Sequence, residues 1–247
     1  MIPPINSSPD NVRSISSAPS INIKSTKDVK VNGVKCAIFG GSGVGKTMLC
    51  ATAPAPLIVS AEKGLLSLSR VDIPYVDVNS LDDVGEVYKW IKLSDEAKQY
   101  KTICLDSLSE ITEVLLHRFK ATTFSKKGRK DPLGAYLKLA DSAGAMIRNF
   151  RDLDGLNIVF TAKEIKKEDS DTGIVSIDPM LPGKVLPHGL PYLVDEVFRM
   201  QISDGEEQIR FLQTNADRRT TCKDRSGMLD KHEKPDLTYI FNKIKGE

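Results

Sequence analysis

From Val34 onward the chain alternates between short, solid apolar runs and longer stretches in which apolar residues recur every three or four positions. "VKCAIF" (34–39), "PLIVSA" (56–61), "IPYVDV" (73–78), "TICLDS" (102–107) and "NIVFTA" (157–162) are the short runs. Their length and lack of alternation predict strands covered on both faces. A helix is expected after Lys46. "LDDVGEVYKWIKL" (81–93) sets Val84, Val87, Trp90 and Ile91 on one helical face. "SLSEITEVLLHRF" (107–119) predicts a helix opened by a capping box of Ser107 and Glu110. Residues 131–153 predict a longer helix, with Asp131 at the N-cap and Pro132 in the first position. Strands alternating with helices predict an α/β fold with a mostly parallel central sheet and helices on both faces.

The pattern then changes. "DEVFRMQI" (195–202) and "EQIRFLQT" (207–214) flank a Ser-Asp-Gly turn and predict an antiparallel hairpin that extends the sheet at one edge. "PDLTYIFNKIKGE" (235–247) puts Leu237, Ile240, Phe241 and Ile244 on one stripe of a closing helix. Residues 1–27 are rich in Ser, Pro and Asn and lack the apolar content to offset ordering entropy. They are expected to form a flexible tail, whose apolar patch is "SINI" (20–23), ahead of a single domain spanning 28–247.

The candidate chemistry begins at "GGSGVGKT". Gly40, Gly41, Ser42, Gly43, Val44, Gly45, Lys46 and Thr47 satisfy G-x-x-x-x-G-K-[ST] between a predicted strand and a predicted helix. Glycines let successive backbone N–H groups turn toward phosphate oxygens, and the helix N-terminus through Met48 adds partial positive charge. Lys46 is placed to reach the β and γ phosphates of ATP, and the Thr47 hydroxyl to ligate Mg²⁺. Asp106 closes "TICLD", where a carboxylate faces that loop and can hold Mg²⁺. Glu62 closes "LIVSAE", where it can polarise a water for attack on the γ-phosphate.

In their order, "VKCAIFGGSGVGKT", "LIVSAEKGLLSL", "TICLDSLSEI" and "NIVFTAKEI" resemble the RecA-like ATPase core. The likeness runs from about Val31 to Gly227 and looks closest to the small core-only phage proteins that anneal single-stranded DNA. It implies that Glu62 is catalytic, that Asp106 serves the metal, and that a γ-phosphate sensor follows residue 160. There this chain has Thr161, Ala162 and Lys163, where RecA has a glutamine. "KDRSG" (223–227) is similar to the Lys-x-Arg loop of RadA-type proteins and hexameric replicative helicases, with Ser226 where RadA-type proteins usually carry an aromatic residue. That implies that Lys223 and Arg225 reach a neighbouring subunit's γ-phosphate, and so a homo-oligomer, either ring or filament, with nucleotide at the subunit interface.

The family also places two loops on its DNA side. Here they correspond to 117–130 and 163–189. The first carries Arg118, Lys120, Lys126, Lys127, Arg129 and Lys130, no acidic residue, and the interleaved Phe119 and Phe124. Cations that follow phosphates, with aromatics that stack bases, suit single-stranded DNA. The second is long, mixed in charge and glycine-punctuated, and His188 within it is expected to be a plain loop residue.

Composition bounds these readings. A net charge of +2 gives no overall attraction to nucleic acid, so any basic surface is local. Cys36, Cys50, Cys104 and Cys222 form no C-x-x-C pair and are expected to be buried, reduced thiols of a cytoplasmic protein. No membrane association is expected, and a single-strand-binding protein is a compatible partner. A nucleotide-gated adaptor or loader and a P-loop kinase remain alternatives to a DNA-dependent ATPase.

Overall fold

Ten strands, all in one connected sheet, organise the described residues. The computed structural model describes Asn22 and residues 32–247; the expected tail, Asn22 aside, lies outside them. Residues 32–247 form one compact unit. The core strands are β1 (Lys35–Gly40), β2 (Pro56–Ser60), β3 (Tyr75–Asp77), β4 (Thr102–Asp106), β5 (Asn157–Glu168) and β7 (Glu196–Ile202), which follows β6 (Val175–Pro179) in the chain. They lie parallel in the order β7-β1-β5-β4-β2-β3. β8 (Arg210–Gln213) and β10 (His232–Glu233) add antiparallel strands beyond β7, and β9 (Lys223–Asp224) pairs with the start of β7.

The two-residue period of a strand sorts the core onto two faces. Ala37, Phe39, Leu57, Val59, Leu105 and Phe160 face one helical layer. That layer comprises α2 (Leu81–Leu93), α3 (Leu108–Thr122), α4 (Pro132–Arg151) and α5 (Val185–Leu193). Cys36, Ile38, Ile58, Cys104, Val159 and Phe198 face the other layer, built by α1 (Lys46–Cys50) and α6 (Leu237–Lys245). Continuous apolar runs are what this double coverage requires, and β1 and β4 are buried throughout. The expected α/β architecture, with its antiparallel extension near the C-terminus, is the one observed.

Local signals set the helix starts. The Ser80 hydroxyl accepts from the Asp83 N–H at 3.1 Å, and Asp131 accepts from Gly134 at 2.9 Å with Pro132 following it. The box at Ser107 forms by half: its hydroxyl accepts from the Glu110 N–H at 3.3 Å, while the Glu110 side chain turns to Lys163. Val84, Val87 and Ile91 are buried as the stripe predicts, as are Leu237, Ile240 and Phe241.

The stretch 163–189 is not a long loop. β5 continues to Glu168 and pairs with β6 to make an antiparallel arm, and α5 follows with His188 on it. Backbone pairing holds the arm, and its strands continue past the buried run 157–162 into half-buried and exposed positions, where the solid apolar pattern stops. A third segment joins, where the Ile177 N–H donates to the Arg219 carbonyl at 2.5 Å. Residues 117–130 are also more ordered than a loop. α3 runs on to Thr122, and a tight turn follows in which Phe124 bridges Lys130 and the Ser125 N–H donates to the Arg129 carbonyl at 2.8 Å.

Phe160 is fully buried in the layer shared by α3 and α4. Phe160→Ala is expected to cost about 3–5 kcal/mol in chemical denaturation, because the cavity adds to the lost transfer energy. A cost under about 1 kcal/mol would mean that this layer is not packed as described.

Candidate nucleotide-binding site

β1 ends at Gly40 and α1 starts at Lys46, so the residues between must reverse the chain at the carboxyl edge of the sheet. Gly43 (φ +74°) and Gly45 (φ +108°) adopt left-handed conformations that side chains disfavour. A Cβ on Gly40 would lie 2.5 Å from the Met200 carbonyl oxygen of β7, whereas one on Gly43 would meet nothing within 4 Å. The loop is thus packed against the sheet at its root and open at its crown. A cavity of about 900 Å³ lies against it.

Lys46, Glu62 and Asp106 reach that cavity from the segments that follow β1 and β2 and from the end of β4. Lys46 donates to the carbonyls of Gly40 (2.9 Å) and Gly41 (2.8 Å). Burial holds its ammonium below the usual lysine range, against the opposing pull of Glu62, Asp106 and Glu164. The Thr47 hydroxyl donates to Asp106 at 2.7 Å, and the Thr161 hydroxyl donates to the other oxygen of the same carboxylate. Asp106, at the end of β4, is 4% exposed. Glu62 follows β2 and accepts from the Ser107 hydroxyl. Lys46, Thr47, Met48, Asp106 and Glu62 all border the one cavity, together with Gly40, Gly41, Ser42, Gly43 and Gly45. Val44 packs on the second apolar cluster instead.

The donor set fits a nucleoside triphosphate and a hard divalent cation. A hydroxyl and a carboxylate oxygen 2.7 Å apart, with the loop's lysine beside them, are the oxygen ligands and countercharge that Mg²⁺–triphosphate takes.

The structure adds cavity residues that periodicity did not mark. Lys163, just past Thr161 in β5, reaches Glu110 (3.0 Å) and Glu113 (3.5 Å) on α3. Burial opposes its charge, but the bond to Glu110 and the fields of Glu113 and Glu62 prevail and raise it above the usual range. Glu164 is paired with Arg199 at 3.0 Å, both largely buried. Arg210, on β8, donates through Nε to the Val44 carbonyl at 3.0 Å and braces the loop. Only the sheet order, with β8 two strands from β1, brings Arg210 there; alternation along the hairpin gave it no distinction.

A family model described as AAA domain matches residues 32–226, spanning every group just described. The chain belongs to the AAA domain family. No curated protein matches it. As an AAA domain it has a P-loop NTPase core, and the loop from Gly40 to Thr47 is the phosphate loop of that core.

Lys223 and Arg225 lie elsewhere in the AAA domain. β9 pairs Lys223 with Val197 and Asp224 with Glu196, and Glu196 is level with Cys36 in the parallel register. They therefore sit at the amino edge of the sheet, away from Gly40. The Lys223 ammonium donates to the carbonyls of Pro191 (2.7 Å) and Val194 (2.8 Å), and Arg225 pairs with Asp195 at 2.7 Å. Both cations are held by their own chain, and reaching a neighbour's nucleotide requires them to exchange these partners.

The six basic residues after α3's midpoint divide. Arg118 pairs with Asp82 at 3.2 Å, Lys120 lies over Tyr136 and Lys130 over Phe124. Lys126, Lys127 and Arg129 are exposed and form no ion pair among the described residues. Phe119 packs against the core, so only Phe124 of the two phenylalanines is exposed. The four cysteines are free and buried. None of the helices among the described residues is long and apolar enough to cross a membrane.

Glu196 ties the Lys-x-Arg turn to β7 by accepting from the N–H groups of Arg225 (3.2 Å) and Ser226 (3.3 Å). Burial, with Asp224 beside it, pushes its carboxyl up to about 7. Because the folded value lies above the unfolded one, its contribution to stability is full below the unfolded value and is lost as pH rises through the folded one. Glu196→Gln should therefore stabilise the protein relative to wild type more at about pH 8 than at about pH 5, read from denaturation midpoints at both. A difference independent of pH would show that Glu196 does not titrate in this range.

Proposed function

We propose that this AAA domain is an ATPase of RecA-like mechanism that assembles as a homo-oligomer on single-stranded DNA and promotes annealing or strand pairing. The observation that carries the ATPase reading is the meeting of Lys46, Thr47, Asp106 and Glu62 around one cavity, from three separate places in the chain.

The chemistry follows from where each group sits. Glu62 is the base: its carboxylate takes a proton from a water as the water oxygen bonds to the γ-phosphorus. The bond from that phosphorus to the β,γ-bridging oxygen breaks, and ADP leaves with the electron pair. The Ser107 hydroxyl orients Glu62. Lys46 has two carbonyl partners to release, and a phosphate oxygen replaces them with full charge. Thr47 and Asp106 would hold Mg²⁺, which neutralises triphosphate charge when bound. Lys163 borders the same cavity one strand away and is placed to sense the γ-phosphate.

Nucleic-acid binding is supported by local charge. Lys126, Lys127 and Arg129 project from the turn after α3, and Lys166 and Lys167 from the β5–β6 arm. The assembly reading rests on the likeness of the Lys223–Arg225 turn to a Lys-x-Arg loop, whose two cations would exchange their partners within the chain for an adjoining nucleotide. A single-strand-binding protein fits such a system as a partner.

Glu62→Gln is expected to lower ATP turnover by about 10²–10⁴-fold while a fluorescent ATP analogue still binds. Unchanged turnover would remove Glu62 from the role of base. Turnover of the wild-type chain should rise with single-stranded DNA and with protein concentration. Mixing it with equal Lys46→Ala protein should cut the rate below half, and a rate of one half would argue for independent subunits.

A further inference from the structure

A second chamber, of about 470 Å³, lies on the far side of Glu62 from the phosphate loop. It shares only Glu62 and Lys163 with the nucleotide cavity. Part of its wall is aliphatic, from Val78 and Leu81 leading into α2 and from Ile111 and Val114 on α3, and Lys63, Asn79 and Ser80 border it as well. Val114 is 42% exposed, a branched aliphatic side chain without a packing partner above it. Glu110 closes the polar side. No step of ATP hydrolysis uses this space, yet any occupant touches the proposed base and the cation beside it.

The surroundings indicate what the occupant is. Glu110, Val114 and Arg118 follow one another at four-residue intervals along one face of α3. That face leads from the chamber to the turn bearing Lys126, Lys127 and Arg129, none of them in an ion pair among the described residues. On the other side, Lys163 is the root of the arm that carries Lys166 and Lys167. Cations thus stand on both flanks of the chamber, and Lys63 and Lys163 at its border, while Glu62 and Glu110 offer carboxylates beside its aliphatic side chains. A polymer with anionic phosphates and flat, amine-bearing bases is complementary to both. The backbone follows the cations, a base enters between the aliphatic walls, and its amino group donates to a carboxylate, the pairing by which Glu recognises cytosine's exocyclic amine.

We propose that the chamber bounded by Val78, Leu81, Ile111 and Val114 receives a single unstacked base of a nucleic-acid strand. The base makes contact with Glu62 and Lys163 from the side opposite the triphosphate. Strand binding is thereby reported to the reacting phosphate through two shared side chains. The inference rests on the nucleic-acid reading above and goes beyond it in naming the bases, rather than the phosphates, as the activating groups.

The test compares ATP turnover of the full chain with two oligonucleotides of equal length and charge, one with bases and one abasic throughout, alongside their binding by fluorescence anisotropy. Both should bind, and the base-bearing strand should stimulate turnover about tenfold more, within the usual span of coupling between sites. Val114→Trp, which fills the chamber, should bring the ratio of rates with and without the base-bearing strand toward one. Leu81→Phe fills it from α2 and should do the same, which guards against a folding defect in either variant. Equal stimulation by both strands, or a full ratio in both filled variants, overturns the inference while leaving nucleic-acid binding intact. If neither strand binds the wild-type chain, the nucleic-acid reading itself fails and this inference with it.

Discussion

One buried carboxylate holds the site together. Asp106 accepts from Thr47 on the phosphate-loop helix and from Thr161 on β5, while its own backbone belongs to β4. Three elements distant in sequence are fixed to one another through two oxygens. A carboxylate at 4% exposure requires such donors, because an unpaired buried charge is costly. The same need makes the position useful. A cation that arrives between Thr47 and Asp106 finds oxygen ligands already turned toward each other, and little reorganisation is left for the moment of binding.

Around that centre the fold supplies charge from strand ends. The parallel register brings Gly40, Ser60 and Asp106 to one edge of the sheet, and the residues that follow each strand form the cavity. Parallel strands buried on both faces cannot carry such groups along their length, so chemistry collects where they emerge. The amino edge is different. There Lys223, Arg225, Asp195 and Glu196 satisfy one another and the local backbone, and that cluster stabilises a turn in the isolated chain. In an assembly, its cations would have to trade a protein carbonyl or carboxylate for a phosphate.

Much of this was legible in the sequence. Solid apolar runs located five of the six parallel strands and the edge pair β7–β8, and the phosphate-loop motif located Lys46 and Thr47. Asp106 and Glu62 could be placed because strand ends in such a sheet converge. What stayed hidden depended on contacts without a periodic signature. The β5–β6 arm is held by backbone pairing that mostly sets a polar residue opposite an apolar one. Arg210 reaches the loop through sheet order. The half-formed capping box at Ser107 came from competition, since Lys163 draws the Glu110 side chain away from the helix end. Of the two phenylalanines in the basic track, Phe119 packs inward and was indistinguishable by composition from Phe124, which does not.

The measurement closest to the centre of this picture is equilibrium binding of a fluorescent ATP analogue, with and without Mg²⁺, to the wild-type chain and to Asp106→Asn. If Asp106 and Thr47 hold the metal on the triphosphate, the wild type gains affinity with Mg²⁺, and the variant loses that gain by about 10–100-fold while keeping its metal-free binding. A variant that responds to Mg²⁺ as fully as the wild type would contradict it.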